Sequence, residues 1–198
     1  MVFQTPTLVN VGYRSTNFYV VSAGRSRLLV DLGWPGTFAT LRAGLERKGI
    51  PIAELRYGLA THYHPDHAGL AQELKAAGVP LLVIVGQETA IPLLKQWMKP
   101  VDRFIDISLH DNIAVTAADS RSLLAEMGLA GEVVHTPGHS DDSVSLVLDN
   151  GWAFTGDLPT EGLATPESES AVIRSWEALR ARGATTVYPG HGPPRQLT

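Results

Sequence analysis

Thr61-His62-Tyr63-His64-Pro65-Asp66-His67 places three imidazoles and a carboxylate within six positions, directly after the apolar run at 55–60. In an extended or tightly turned segment, side chains two apart project to one side, so His62 and His64 can hold one ion between them. Asp66 and His67 fall past the proline, within reach of the same ion or of a second one nearby. Such nitrogen and oxygen donors suit zinc, iron, manganese or nickel. The chain has no cysteine to draw the site towards thiolate chemistry.

Further donors recur downstream, each just past an apolar run. Glu132-Val133-Val134-His135-Thr136-Pro137-Gly138-His139 is a β-rich stretch broken by Pro-Gly, which ends pairing and turns the chain. Trp152-Ala153-Phe154-Thr155 runs into Gly156-Asp157, and Thr185-Thr186-Val187-Tyr188 into Pro189-Gly190-His191-Gly192. Four ligand-bearing loops thus follow four strands, and strands laid side by side bring such loop ends together.

The positioning elements are legible from apolar periodicity. Residues 7–11, 17–22 and 27–31 read as strands in an antiparallel opening. Residues 37–48 place Phe38, Leu41 and Leu45 on one face, which is helical spacing. A strand at 55–60 delivers the histidine run, a helix follows at 70–77, and a strand at 81–85. Between 86 and 129 the pattern predicts a helix at 88–98, a β-like run at 103–109 and a helix at 120–127. Val172, Trp176 and Leu179 mark a late helix that stops at Gly183. Strands at both ends with helices between them point to two sheets covered by helices, because each sheet must bury an apolar face.

The pieces THYHPDHAG, HTPGHS, FTGDL and YPGHG, in this order, resemble the metallo-β-lactamase superfamily, and its hydroxyacylglutathione hydrolase (glyoxalase II-like) branch in particular. The resemblance covers most of the chain and implies an α/β fold, a four-layer αββα sandwich of two mixed sheets flanked by helices, as one domain over residues 1–198. It also implies two divalent metal ions, zinc first and iron, manganese or nickel as alternatives. His62, His64 and His139 would hold the first ion, Asp66, His67 and His191 the second, and Asp157 would bridge both. Five of the seven histidines are used in this way. Of the other two, His110 reads as exposed and His135 as a supporting or packing residue. Asp31 ends its strand as the family's early aspartate does, and so could support a ligand histidine; a turn-capping carboxylate is the equal alternative.

Two ions about 3.5–4 Å apart can hold a water as hydroxide near neutral pH. Asp157 would bridge the pair and Asp66 would orient the nucleophile, making these two the catalytic carboxylates. The expected reaction is hydrolysis of a thioester or related ester. Lactone or phosphodiester cleavage on the same site is one alternative, and a sulfur or persulfide dioxygenase with one iron on His62, His139 and Asp157 is another. Lactonases of the superfamily usually carry a tyrosine soon after the bridging aspartate, where this chain has Leu158, Pro159 and Thr160. β-Lactamases proper do not normally use that aspartate, and a non-catalytic binding protein would tend to lose ligands.

Other residues have plainer readings. Ile91, Leu94, Trp97 and Met98 form either the buried face of a covering helix or an apolar wall for an acyl chain, the first being favoured. Asp141 and Asp142 read as solvated turn residues or as negative charge at the groove, Asn17 as a strand-end residue, and Arg195 as a free tail residue or a contact for a substrate carboxylate.

Composition narrows the rest. A chain with 44% hydrophobic and 18% charged residues is an ordinary globule. A formal net charge of −4 gives no basic footprint for nucleic acid. The sequence lacks an apolar run of the roughly 18 residues that a membrane span needs. Its N-terminus, MVFQTPTLVNVGYRS, lacks the basic start, apolar block and cleavage site of a leader. The expectation is a cytoplasmic protein with a small-molecule substrate; nothing in the sequence speaks to oligomeric state.

Overall fold

The computed structural model describes residues 4–197. Its first sheet runs in the order β1 (Thr7–Asn10), β2 (Tyr19–Ala23), β3 (Ser26–Val30), β4 (Leu55–Leu59), β5 (Leu81–Ile84) and β6 (Ile113–Val115). The first three strands pair antiparallel and the last four parallel. Its second sheet runs β11 (Arg195–Gln196), β10 (Thr186–Pro189), β9 (Trp152–Gly156), β8 (Val144–Leu148) and β7 (Gly131–His135), parallel only between β9 and β10.

Alternation within the strands assigns the layers. Tyr19 and Val21 of β2, Leu28 and Val30 of β3, and Leu82 and Ile84 of β5 share a core with Val133, Leu146 and Phe154 of the second sheet. Their neighbours Val20, Leu29 and Val83 face the other way, against Leu41 and Leu45 of α1 (Phe38–Arg47) and Leu74 of α3 (Ala71–Ala76). On the far side, Val134, Val147, Ala153 and Val187 pack under Val172, Trp176 and Leu179 of α5 (Glu169–Ala181). The order is therefore helices, sheet, sheet, helix. Central strands covered on both faces lack polar–apolar alternation; β2, β5 and β8 are buried along their whole length and are apolar except for Ser22 and Ser145.

Between β5 and β7 the structure departs from the expected elements. Residues 91–97 form a 3₁₀ helix, not an α-helix, with Pro92 in its first turn and i→i+3 bonds such as Leu93 N to Ala90 O at 3.0 Å. No strand forms at 103–109. There Arg103 takes a left-handed φ of 54°, and side chains of α3 meet the backbone instead: Gln72 accepts from Ser108 N at 2.9 Å and Lys75 donates to Ser108 O at 2.8 Å. The edge strand is Ile113–Val115, followed by α4 (Ser120–Glu126). Strands β6, β8 and β11 are absent from the sequence-based expectation. No helix among the described residues is long and apolar enough to cross a membrane.

Candidate metal centre

The loop after β4 carries the histidine run at one edge of the sandwich. His62 lies in a bend just past the strand, and His64 is extended. His64 then precedes Pro65, whose fixed φ starts the helical turn α2 (Pro65–Ala68). That turn re-aims Asp66 and His67 towards the loops after β7, β9 and β10, which supply His139, Asp157 and His191.

All seven expected donors converge. His64 Nδ1 lies 3.1 Å from His62 Nε2 and 2.9 Å from His139 Nε2, so three ring nitrogens face one point. Asp66 Oδ2 lies 3.3 Å from His67 Nε2 and 3.1 Å from His191 Nε2. Asp157 stands between the two sets: its Oδ2 is 4.0 Å from His62 Nε2, 3.7 Å from His139 Nε2 and 3.4 Å from His191 Nε2, and its Oδ1 is 3.3 Å from His67 Nε2. Donor atoms of His62, His64 and His139, of Asp66, His67 and His191, and of His62, His67 and Asp157 each lie mutually within 4.8 Å.

Fixed acceptors on the outer ring nitrogens orient the histidines. His67 Nδ1 donates to Asp31 Oδ2 at 2.9 Å. His191 Nδ1 donates to Ser15 O at 2.7 Å. The Thr61 hydroxyl donates to Asp31 Oδ1 at 2.9 Å and is left to accept from His62 Nδ1 at 3.2 Å. In each case Nε2 is the ring atom left facing the interior, the arrangement that outer hydrogen bonds impose at metal sites. His67 Nε2 and Asp157 Oδ1 are buried without a hydrogen-bond partner. Buried polar atoms are normally satisfied, so these two fit a bound cation.

Electrostatics agree with that fit. Burial holds the pKa of His62 well below the ordinary histidine value, reinforced by the surrounding imidazoles, so the ring is a neutral donor. Burial also disfavours charge on His67, but Asp31, Asp157 and Asp66 outweigh it and hold its pKa well above normal. Burial would raise Asp66 and Asp157 as well; contacts with His67 overcome it in both, and both carboxyls are lowered.

Residues beyond the expected ligands hold the loops. Asp31 is buried and accepts from Thr61 N at 2.8 Å as well as from His67, so it touches the histidine loop at two points. Asp142 is not merely a solvated turn residue: its Oδ2 accepts from Tyr63 N at 2.7 Å. Gln87, fully buried, accepts from Ile84 N at 3.1 Å and donates to Ala60 O at 3.2 Å and Asp142 O at 3.0 Å, tying the two ligand loops together. The sequence carries no signal for that role, since a glutamine after Gly86 looks like any surface residue. Thr16 donates to Asp66 Oδ2 at 3.0 Å. Asn17 is the expected strand-end residue and holds the His191 loop through Pro189 O at 3.0 Å and Gly192 O at 2.8 Å. His110 and His135 are both exposed, so His135 is not a packing residue. Ile91 and Leu94 are core, whereas Trp97 is 64% exposed with its ring 5.7 Å from that of His64. The covering-face reading holds for the first two residues and fails for the third.

Donors of this kind at one edge of a two-sheet sandwich define a metal-binding α/β protein of the metallo-β-lactamase fold. The sequence pattern of the Metallo-beta-lactamase superfamily matches residues 11–191, and the chain belongs to that family. Among curated relatives, the Lactamase-like protein notP of an Aspergillus species is 30% identical over 183 residues, covering 90% of this chain and 50% of that protein. The Atrochrysone carboxyl ACP thioesterase of Aspergillus fumigatus is 29% identical over 190 residues, covering 90% of this chain and 38% of that protein. The chain thus spans half or less of the length of these relatives. Among solved structures, the BLEG-1 B3 metallo-beta-lactamase superposes with a TM-score of 0.74 at 22% identity, over 97% of this chain and 94% of that one. That likeness concerns the fold.

Proposed function

We propose that the protein is a dinuclear metal-dependent hydrolase acting on a small-molecule thioester or related ester. The observation that carries the reading is the position of Asp157, one oxygen towards His62, His139 and His191 and the other towards His67. A carboxylate so placed can be shared by two ions, zinc being the first choice for this donor set. When bound, such ions polarise a carbonyl and lower the pKa of a bound water. The chain supplies the rest. His62, His64 and His139 would hold one ion, and Asp66, His67 and His191 the other. Asp66, kept ionised chiefly by His67 and hydrogen-bonded by Thr16, would orient the attacking water. No serine or cysteine nucleophile is needed. The thioester preference is supported by the resemblance of the motifs to the glyoxalase II-like branch and by the thioesterase among the relatives.

Metal quantification paired with a panel of thioesters, lactones, phosphodiesters and a chromogenic β-lactam tests the proposal. Two ions per chain and preferential thioester hydrolysis are expected, with His64→Ala and Asp157→Ala losing metal and activity together. Full activity in either variant, or a single iron with oxygen consumption, would overturn it.

A further inference from the structure

A cleft of about 470 Å³ is lined by His139, Asp157 and His191 of the ligand cluster and also by Arg195. Pro159, Pro189 and Pro193 contribute to its walls. Proline has no backbone N–H, so these three positions offer an anion no donor. Among the described residues, Arg195 is the one lysine or arginine lining it.

Arg195 is not a free tail residue. It sits in β11 opposite Val187, and its guanidinium carbon lies 4.9 Å from the centroid of the Trp176 ring. Trp176 is itself fixed, 1% exposed and donating from Nε1 to Pro159 O at 2.7 Å. A cation–π contact of this kind does not use up the N–H donors of the guanidinium. Among the described residues no acceptor takes a hydrogen bond from them. Glu161 feels the charge of Arg195, but its two oxygens are bonded to Arg180 at 3.0 and 2.5 Å. Other arginines of the chain, such as Arg27 and Arg121, are matched by carboxylates. Arg195 is a pre-oriented cation without a carboxylate bonded to it, in the same cleft as the metal ligands.

We infer that Arg195 is a specificity residue and that the substrate carries an anionic group, a carboxylate or a phosphate ester, on the arm lying in this cleft. The planar fork of a guanidinium matches either group in a bidentate pair. This deepens the hydrolase reading and rests on it for the identity of the reacting bond. The anion lies either on the acyl arm, as a terminal carboxylate, or on the thiol arm, as a phosphate ester.

The test compares the metal-loaded wild type, Arg195→Gln and Arg195→Lys on three matched thioesters: one neutral, one with a terminal acyl carboxylate, one with a phosphate on the thiol. The wild type should favour one anionic ester over its neutral twin by roughly tenfold or more in kcat/KM, the scale of a charge-assisted pair. Arg195→Gln should collapse that ratio, chiefly through KM, and Arg195→Lys should restore it in part. The ester that responds identifies the arm. Equal ratios in wild type and Arg195→Gln would overturn the inference while leaving the hydrolase reading intact. If no thioester is turned over, the thioester preference fails and tryptophan-fluorescence titration with inorganic phosphate and glutarate decides the anion site alone. Saturation that disappears in Arg195→Gln supports the site, and its absence overturns it.

Discussion

Replacing Asp31 by Asn isolates the link between a buried carboxylate and the metal-binding nitrogen of His67. Asp31 accepts three hydrogen bonds, from Thr61 N at 2.8 Å, Thr61 Oγ1 at 2.9 Å and His67 Nδ1 at 2.9 Å. An asparagine preserves all three contacts only with its oxygen towards Thr61 and its amide nitrogen towards His67. His67 Nδ1 must then be the acceptor, and the ring proton moves to Nε2, the atom 3.3 Å from both Asp66 and Asp157. Binding an ion there would require two donors to face each other in the interior, at about 1–3 kcal/mol for the lost bond. That corresponds to roughly ten- to hundredfold weaker metal binding at the Asp66, His67 and His191 group. The backbone tolerates the change, because Asp31 has a left-handed φ of 61° and asparagine is one of the few side chains suited to that region. Alanine would be a poorer probe, since it strips three buried donors at once. Chelator-competition titration with ion counting should show one group weakened and the His62, His64 and His139 group retained, and nitrogen NMR should place the His67 proton on Nε2. Wild-type affinity for both ions, with Nε2 unprotonated, would refute the reasoning.

Three other perturbations reach the site by different routes. A Cβ added at Gly190 would lie 2.5 Å from Asp157 Oδ1 and 2.6 Å from His67 Cε1, so Gly190→Ala should displace both ligands and cut metal stoichiometry; unchanged elemental analysis would contradict the packing. Gln87→Leu keeps the volume but removes the amide that ties β5, the histidine loop and Asp142 together. A loss of about 3 kcal/mol, equivalent to roughly 6–12 °C in Tm for a domain of this size, should appear in thermal unfolding; a shift under about 2 °C would show that the network is not structural. His67, held protonated by its carboxylates in the metal-free protein, must lose a proton to present Nε2 to an ion. Metal uptake should therefore release protons and tighten as pH rises, by up to about tenfold per unit for one proton. Calorimetry in buffers of different ionisation enthalpy measures the release, and buffer-independent heats would exclude it.

Much of this protein was legible along the chain because its donors are local. His62, His64, Asp66 and His67 share one loop, and His139, Asp157 and His191 each follow a strand whose apolar run is visible without a partner. The helices with clear stripes, α1 and α5, were readable for the same reason: their buried faces are written at helical spacing. Segments whose conformation is set by distant groups were not. Residues 103–109 look like a strand, yet Gln72 and Lys75 of α3 meet the backbone at Ser108. Strand β8 is buried on both faces and gives no alternation to read. The resemblance supplied the ligand set, but the histidine tautomers, the linking role of Gln87 and the stacking of Arg195 on Trp176 depend on contacts between residues far apart in the chain. Sequence by itself determined which atoms could bind metal. The tertiary structure decided where they converge and which nitrogens face inward, because a ring nitrogen takes its role from the partner of the other, and that partner arrives only when the sheets pack.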